Sequence, residues 1–339
     1  MPQRSSISHL LIIRLSAMGD VAMLAHSLRA FRFAYPSVRI SLLTRGLFRP
    51  FFEGLDVEIV EFDPKRYIGF RGLITLSREI ANMGVEAVAD VHGTLRSMTI
   101  SRLLRLQGVS RQATIDKSRG DKRRALGGGY RSMAAPLRHS VLRYCDVLRS
   151  LGFAFDDPTP AKRVQRENPA GEKCGLWVGL APFSAHEGKC YPLPLCRELV
   201  AKLSTKYERV FIHSGGGAEE AFALEMEQAH PNVEAVFPRY RLAAEIDLIS
   251  NIDCMISMDS LVMHLCSLVA TPVVSIWGAT HPALGFLGHG VDARGVVQLD
   301  MECRPCSVYG SKICRFGDYR CMRDIKVDDI LARVELLLV

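Results

Sequence analysis

The sequence predicts an α/β protein made of two doubly wound units in tandem. Three observations carry that reading. The length of 339 residues fits two domains of about 150 residues better than a single core. Short apolar runs alternate with helix-period segments in both halves, the pattern of parallel sheets covered by helices. Between the halves lies FAFDDPTPAKRVQRENPAGEK, residues 153–173, which is rich in Pro and charge and has neither period.

In the first half HLLIIRL, RISLLT, VEIVEF and EAVADV read as strands, and in the second CGLWVGLAP, RVFIHSG, VEAVF, DCMISM and PVVSIWG do. Each is followed by a segment able to form a helix. The boundary is placed near residue 165, which gives domains 1–165 and 166–325. The end, IKVDDILARVELLLV, predicts a closing helix over 326–339 with Asp328 and Asp329 suited to its first turn.

Composition bounds the function. An apolar share of 48% and a charged share of 23% are those of an ordinary globular protein. Arg14 interrupts the first apolar run before an export signal is complete, and nowhere do about 18 apolar residues follow one another. The expectation is a cytoplasmic protein, at most peripheral on a membrane. Six of the ten cysteines are scattered singly and read as reduced thiols. The other four, Cys303, Cys306, Cys314 and Cys321, have a C-x2-C-x7-C-x6-C spacing that could hold one structural zinc. Free thiols or an incidental disulfide compete with that reading. The net charge of +7 is concentrated: Arg96 to Arg143 contains 12 Lys or Arg against Asp116 and Asp121. Such a run suggests an anionic partner, or else a solvated face.

No GxGxxG or GxxxxGK[ST] fingerprint follows the first strand, which argues against a nicotinamide dehydrogenase and a P-loop kinase. Ligands of open parallel sheets bind beyond the carboxyl ends of the strands. The polar residues there are Asp20, Ser184, Lys189, Glu219 with Glu220, Tyr240, Asp259, Ser260, His264 and Thr280. Asp20 stands at the junction of a strand and an amphipathic segment, where local pattern makes it a helix N-cap. Ser260 and His264 share one helix face near a helix start, which suits a phosphate. Lys189 could neutralise a diphosphate leaving group, and Glu219 could accept from ribose hydroxyls. Each also has a purely structural reading as a cap, a core histidine or a solvated side chain.

The segments LLIIRLSAMGDVAMLAHSLRAFRFAYP, ADVHGTLRS, FSAHEGKCYP, GGGAEE and MDSLVMHLCSLVATPVVSIWGATHP together resemble glycosyltransferase family 9, the ADP-heptose:lipopolysaccharide heptosyltransferases. The resemblance implies a GT-B architecture, with two Rossmann-like domains facing a central cleft. It implies that the first domain binds acceptor and the second binds nucleotide sugar. It also implies an inverting transfer with no required cofactor or metal. Asp20 matches the family's base. Ser184 and Lys189 match diphosphate positions, and Glu219, less well Glu220, matches the ribose-binding glutamate. Tyr240 falls at the adenine, Asp259 at the transferred sugar, and Ser260 and His264 in the same donor turn. One departure stands out: Leu261 replaces the glycine usual two residues after that aspartate, which bears on how the donor diphosphate sits.

The implied acceptor is an anionic inner core on lipid A, with contact to the cytoplasmic leaflet of the inner membrane, and no nucleic acid. Arg96, Lys122, Arg123 and Arg124 are its candidate ligands. Two other functions fit the same architecture. A nucleotide-sugar epimerase would turn over donor without acceptor, and a non-catalytic binding protein would hold donor without turnover.

Overall fold

The computed structural model describes residues 7–339 and divides into two compact units. The first comprises residues up to Ser118 together with Arg138–Thr159, and the second Arg119–Leu137 together with Pro160–Val339.

The first unit begins with β1 (His9–Ile13), which is buried throughout, because helices cover both faces of a parallel sheet. It continues through α1 (Met18–Ala34), β2 (Arg39–Thr44), β3 (Glu58–Glu61), α2 (Gly69–Asn82), β4 (Ala87–Asp90), α3 (Leu95–Leu106) and β5 (Arg111–Thr114). All pairings are parallel, in the order β3-β2-β1-β4-β5. Leu11, Ile13, Leu43 and Val88 from the strands meet Leu76 and Ile80 of α2 and Ile100 and Leu104 of α3 in one core.

The chain then leaves this unit. Helix α4 (Arg119–Ala125) and the turns up to Leu137 pack on the second unit, and the chain returns as α5 (Ser140–Ser150). Ala125 and Leu137 pack on Leu284, and the Tyr130 ring lies 4.0 Å from that of His281. Backbone bonds tie the segment down, from Gly127 N to Pro305 O and from Leu137 N to Ala283 O, both at 2.8 Å.

The second sheet contains β6 (Trp177–Ala181), β7 (Arg209–Ile212), β8 (Val233–Ala235), β9 (Cys254–Met258), β10 (Val273–Trp277) and β11 (Val296–Gln298). Its helices are α6 (Leu193–Lys206), α7 (Ala218–Ala229), α8 (Leu242–Asn251), α9 (Leu261–Val269), α10 (Arg320–Arg323) and α11 (Val327–Leu338). The order β8-β7-β6-β9-β10-β11 is the doubly wound 3-2-1-4-5-6 order. Asp328 and Asp329 occupy the first turn of α11. Among the described residues no helix is long and apolar enough to cross a membrane.

Two strands, β5 (RQAT) and β11 (VVQ), have no counterpart in the sequence reading. Both are short edge strands with half-exposed residues, so neither shows an apolar run.

Candidate active site

In each sheet the strand order reverses beside the first strand, and the crevice beyond the carboxyl ends there is the place for a ligand. In the first unit that point lies between β1 and β4; in the second it lies between β6 and β9.

Asp20 sits at the first of these points, but not as the expected cap. Helix α1 starts at Met18, Ala17 holds the N-cap position without a side-chain bond, and Asp20 belongs to the helix's first turn. A carboxylate there favours the helix dipole without closing the end. Its partners come from strand and helix neighbours. Arg14 Nη2 lies 2.5 Å from Asp20 Oδ2, and Tyr144 Oη of α5 donates to Asp20 O at 3.3 Å and Oδ1 at 3.4 Å. Burial lowers the pull of Arg14 for its proton, but Tyr144 and Asp20 outweigh it, and the guanidinium stays charged.

His92, on the loop after β4, faces the same crevice and was not singled out from the sequence. Its Nε2 is 3.3 Å from Ser16 Oγ and its Nδ1 3.3 Å from Thr94 Oγ1. Burial, reinforced by the charges of Arg14 and Lys117, pushes it down to about 4, so it is a neutral imidazole at pH 7. A position at the end of β4, next to the reversal point, was the signal that could have found it.

In the second unit, residues from the loops after β6 and β10 converge on Asp259, which follows β9. Lys189 Nζ lies 3.4 Å from Asp259 Oδ2, Thr280 Oγ1 donates to Oδ2 at 2.7 Å, and Ser184 Oγ donates to the Asp259 carbonyl at 3.2 Å. The turn bearing Lys189 is held against the loop after β10: Ala279 N donates to Gly188 O at 2.8 Å, and a Cβ on Gly188 would stand 2.8 Å from that of Ala279. Arg304, only 2% exposed, fixes the same loop by donating to Gly278 O at 2.5 Å, Trp277 O at 2.9 Å and Thr280 O at 3.1 Å.

Ser260 takes the N-cap position of α9 without a side-chain capping bond, and its hydroxyl is 3.3 Å from that of Ser257. The first amides of α9 therefore open beside Asp259, the geometry that suits a phosphate. Leu261 is the first residue of this helix, and His264 is buried one turn further on.

The remaining candidates come from the elements that follow β7 and β8, and the charge of Glu219 acts on Cys190, next to Lys189. Glu219 Oε2 accepts from Gly215 N at 2.8 Å, folding back on its own turn, with Glu220 next to it on α7. Tyr240 Oη donates to Glu234 Oε1 at 2.6 Å, and burial, helped by Glu234, pushes the phenol up to about 12.

The basic candidates divide. Arg96 stays exposed on α3, its guanidinium 5.4 Å from the Phe62 ring centroid. Lys122, Arg123 and Arg124 were expected in the acceptor half, but the structure carries them on the second unit. Lys122 is only 5% exposed, with Nζ 4.6 Å from the Phe286 ring centroid and 5.6 Å from that of Tyr309. It lies over two aromatic faces, a cation–π arrangement that holds it in the packing of the second unit. Arg123 is exposed, and Arg124 pairs with Asp121.

Cys303, Cys306, Cys314 and Cys321 line one small cavity as free thiols. Among the described residues no group of three or more His, Cys, Asp or Glu side chains is placed to hold a metal ion.

Two Rossmann-order sheets, one of them opening a lysine, hydroxyls and a helix N-terminus at its reversal point, are the architecture of the GT-B class of glycosyltransferases. Residues 74–315 match the family model of glycosyltransferase family 9 (heptosyltransferase), and the chain belongs to that family. It is 22% identical over 334 residues to lipooligosaccharide heptosyltransferase 2 of Campylobacter jejuni, covering 94% of this chain and 96% of the relative. Among solved structures it is similar to the Escherichia coli ADP-heptose LPS heptosyltransferase II, with a TM-score of 0.70 and 16% identity over 97% of this chain and 98% of that one. It is also similar to a family 9 glycosyltransferase from Veillonella parvula, with a TM-score of 0.72 and 17% identity over 98% and 97% of the two chains.

Proposed function

We propose that this glycosyltransferase moves heptose, or a closely related sugar, from an ADP-activated donor to an anionic lipopolysaccharide or lipooligosaccharide inner core, with inversion. The observation that carries this reading is the convergence of Ser184, Lys189, Asp259 and Thr280 beside the first amides of α9. The names of the relatives, a lipooligosaccharide heptosyltransferase and an ADP-heptose heptosyltransferase, support the choice of donor and acceptor.

In the reaction an acceptor hydroxyl oxygen bonds to the anomeric carbon from the face opposite the departing ADP. The bond from that carbon to the diphosphate oxygen breaks, and ADP leaves with the electron pair. Lys189 and the α9 amides neutralise the growing diphosphate charge, with Ser184 and Ser260 as further donors. Asp259 meets the transferred sugar, Glu219 the ribose and Tyr240 the adenine, while His264 supports the donor turn from within α9. Asp20 takes the proton of the hydroxyl. These residues supply the charge the step needs from the protein itself.

Arg96, Arg123 and Arg124 are proposed as contacts for acceptor phosphates or carboxylates. Peripheral contact with an anionic cytoplasmic leaflet goes with that acceptor. It is supported by the exposed Leu47, Ile68, Phe70 and Leu95, which come after the carboxyl ends of β2, β3 and β4, as do the exposed Arg45, Arg49, Arg71 and Arg96.

The deciding experiment incubates the protein with ADP-heptose and lipid A core acceptors and follows the glycosylated product by mass spectrometry. Product that requires both substrates is expected. Donor consumed without acceptor would replace this reading with the epimerase, and donor bound without turnover with the binding protein.

A further inference from the structure

Asp20 is an unusual partner for a buried arginine. Arg14 follows the last residue of β1 and keeps the strand's register, its amide donating to Leu43 O at 3.1 Å and its carbonyl accepting from Thr44 Oγ1 at 2.6 Å. Its side chain is 7% exposed, whereas that of Asp20 is 31% exposed. Nη1 donates to Val91 O at 2.6 Å on the loop after β4, so the guanidinium spans the reversal point between β1 and β4. Its central carbon lies 5.4 Å from the Tyr144 ring centroid, and Tyr144 is itself 1% exposed. A buried pair adds little to net stability, because desolvation offsets the Coulomb gain. A pair whose carboxylate reaches the surface of a crevice instead fixes where that carboxylate points.

We propose that Arg14 and Tyr144 are positioning residues for the transfer reaction, clamping Asp20 by Oδ2 and by its backbone carbonyl so that Oδ1 is presented to the acceptor hydroxyl. The inference rests on the reading of Asp20 as the base. Asp20 on its own is a side chain of the first helical turn with several open rotamers. The clamp orders it before substrate arrives, so orientation is already in place when the proton moves. The 2.5 Å pairing engages Oδ2, while among the described residues Oδ1 meets the long 3.4 Å contact from Tyr144 and keeps accepting capacity. Tyr144 cannot compete as a base, since burial holds its phenol protonated, far above its ordinary range.

A double-mutant cycle on the full-length protein tests this, with donor and acceptor kinetics measured for Arg14→Lys, Arg14→Met, Tyr144→Phe and Asp20→Asn and for the last combined with each of the others. Arg14→Met is expected to lower kcat by about 100-fold with the donor KM unchanged, a loss of the size that about 1 Å of misplacement produces. Arg14→Lys should recover most of that loss, and Tyr144→Phe should lower kcat by about threefold to tenfold. In the Asp20→Asn background none of them should lower kcat further, because each acts through a carboxylate already removed. A role confined to holding the fold would instead lower kcat by the same factor in both backgrounds, and that result, or wild-type kcat in Arg14→Met, overturns the proposal. If Arg14→Met does not fold, the Tyr144→Phe cycle decides alone, since it removes one oxygen and keeps the ring. Asp20→Asn at the wild-type rate would instead overturn the base reading itself. A slow Asp20→Asn with additive losses overturns only the clamp.

Discussion

Lys189 and Asp259 form an ion pair at 3.4 Å in which both side chains are nearly enclosed, 14% and 9% exposed. A diphosphate bound as proposed beside α9 would meet a lysine already shared with a carboxylate, and Thr280 donates to the same carboxylate oxygen, Oδ2, at 2.7 Å. Replacing Lys189 with Gln removes the cation from the developing charge and leaves Asp259 half-paired. We expect kcat/KM to fall by about 10² to 10³, the usual loss of one electrostatic donor. Steady-state kinetics with ADP-heptose check this, and a loss below threefold would remove Lys189 from the leaving-group site.

Leu261 opens α9 at the point where a phosphate would approach the backbone. Leu261→Gly clears that approach at a helix start, where the penalty for glycine is small. The donor KM should fall by a few fold with kcat little changed. An unchanged or higher KM for ADP-heptose would show that the Leu261 side chain does not crowd the diphosphate.

Lys122 should matter for stability and not for acceptor. Lys122→Ala is expected to destabilise the protein by about 2 kcal/mol, the scale of a desolvated cation–π contact, and to leave the acceptor KM as it was. Arg123→Ala with Arg124→Ala should do the reverse, raising the acceptor KM in a salt-sensitive way with a nearly constant Tm. Thermal denaturation alongside acceptor titrations at two ionic strengths separates the two outcomes.

Acid should weaken the fold through two buried histidines that resist protonation. His92 and His281 are each pushed down to about 4 from an ordinary 6.5, mainly by burial, with Arg14 and Lys117 adding for the first and Arg304 and Arg131 for the second. Between those values the unfolded chain binds protons that the folded chain does not, so stability falls as pH drops from about 6.5 to about 4 and the loss is complete below that. Tm measured from pH 7 to pH 4 should show this slope, and His92→Gln with His281→Gln should flatten it. Parallel slopes for wild type and the double variant would contradict the assignment.

Much of this architecture was legible because buried parallel strands are continuous apolar runs: HLLII, WVGLA and CMISM are each buried at every position. The polar ends of those runs nominated Ser184, Lys189, Asp259 and Thr280, since in such a sheet the ligand side follows from strand direction alone. What stayed hidden was set by contacts distant in sequence. Arg14 read as an interruption of an apolar run, and only Tyr144, far along the chain, and Asp20 show why a cation belongs there. Lys122 read as a candidate acceptor ligand in a basic run because Phe286 and Tyr309 have no local signature. The N-terminal boundary of α1 was misjudged through Asp20, whose residue type favours a cap, although the helix begins two residues earlier without one.

The excursion of Arg119–Leu137 onto the second unit has a consequence for anyone who would cut or recombine this chain. A fragment starting at Pro160 would lack the partners of Leu284, Phe286 and His281 and expose them together, inviting aggregation. Chimaeras that exchange first halves between relatives at a single crossover would import a foreign segment into the second unit's own packing. Three junctions, after Ser118, after Leu137 and after Thr159, keep each half with the residues it folds around.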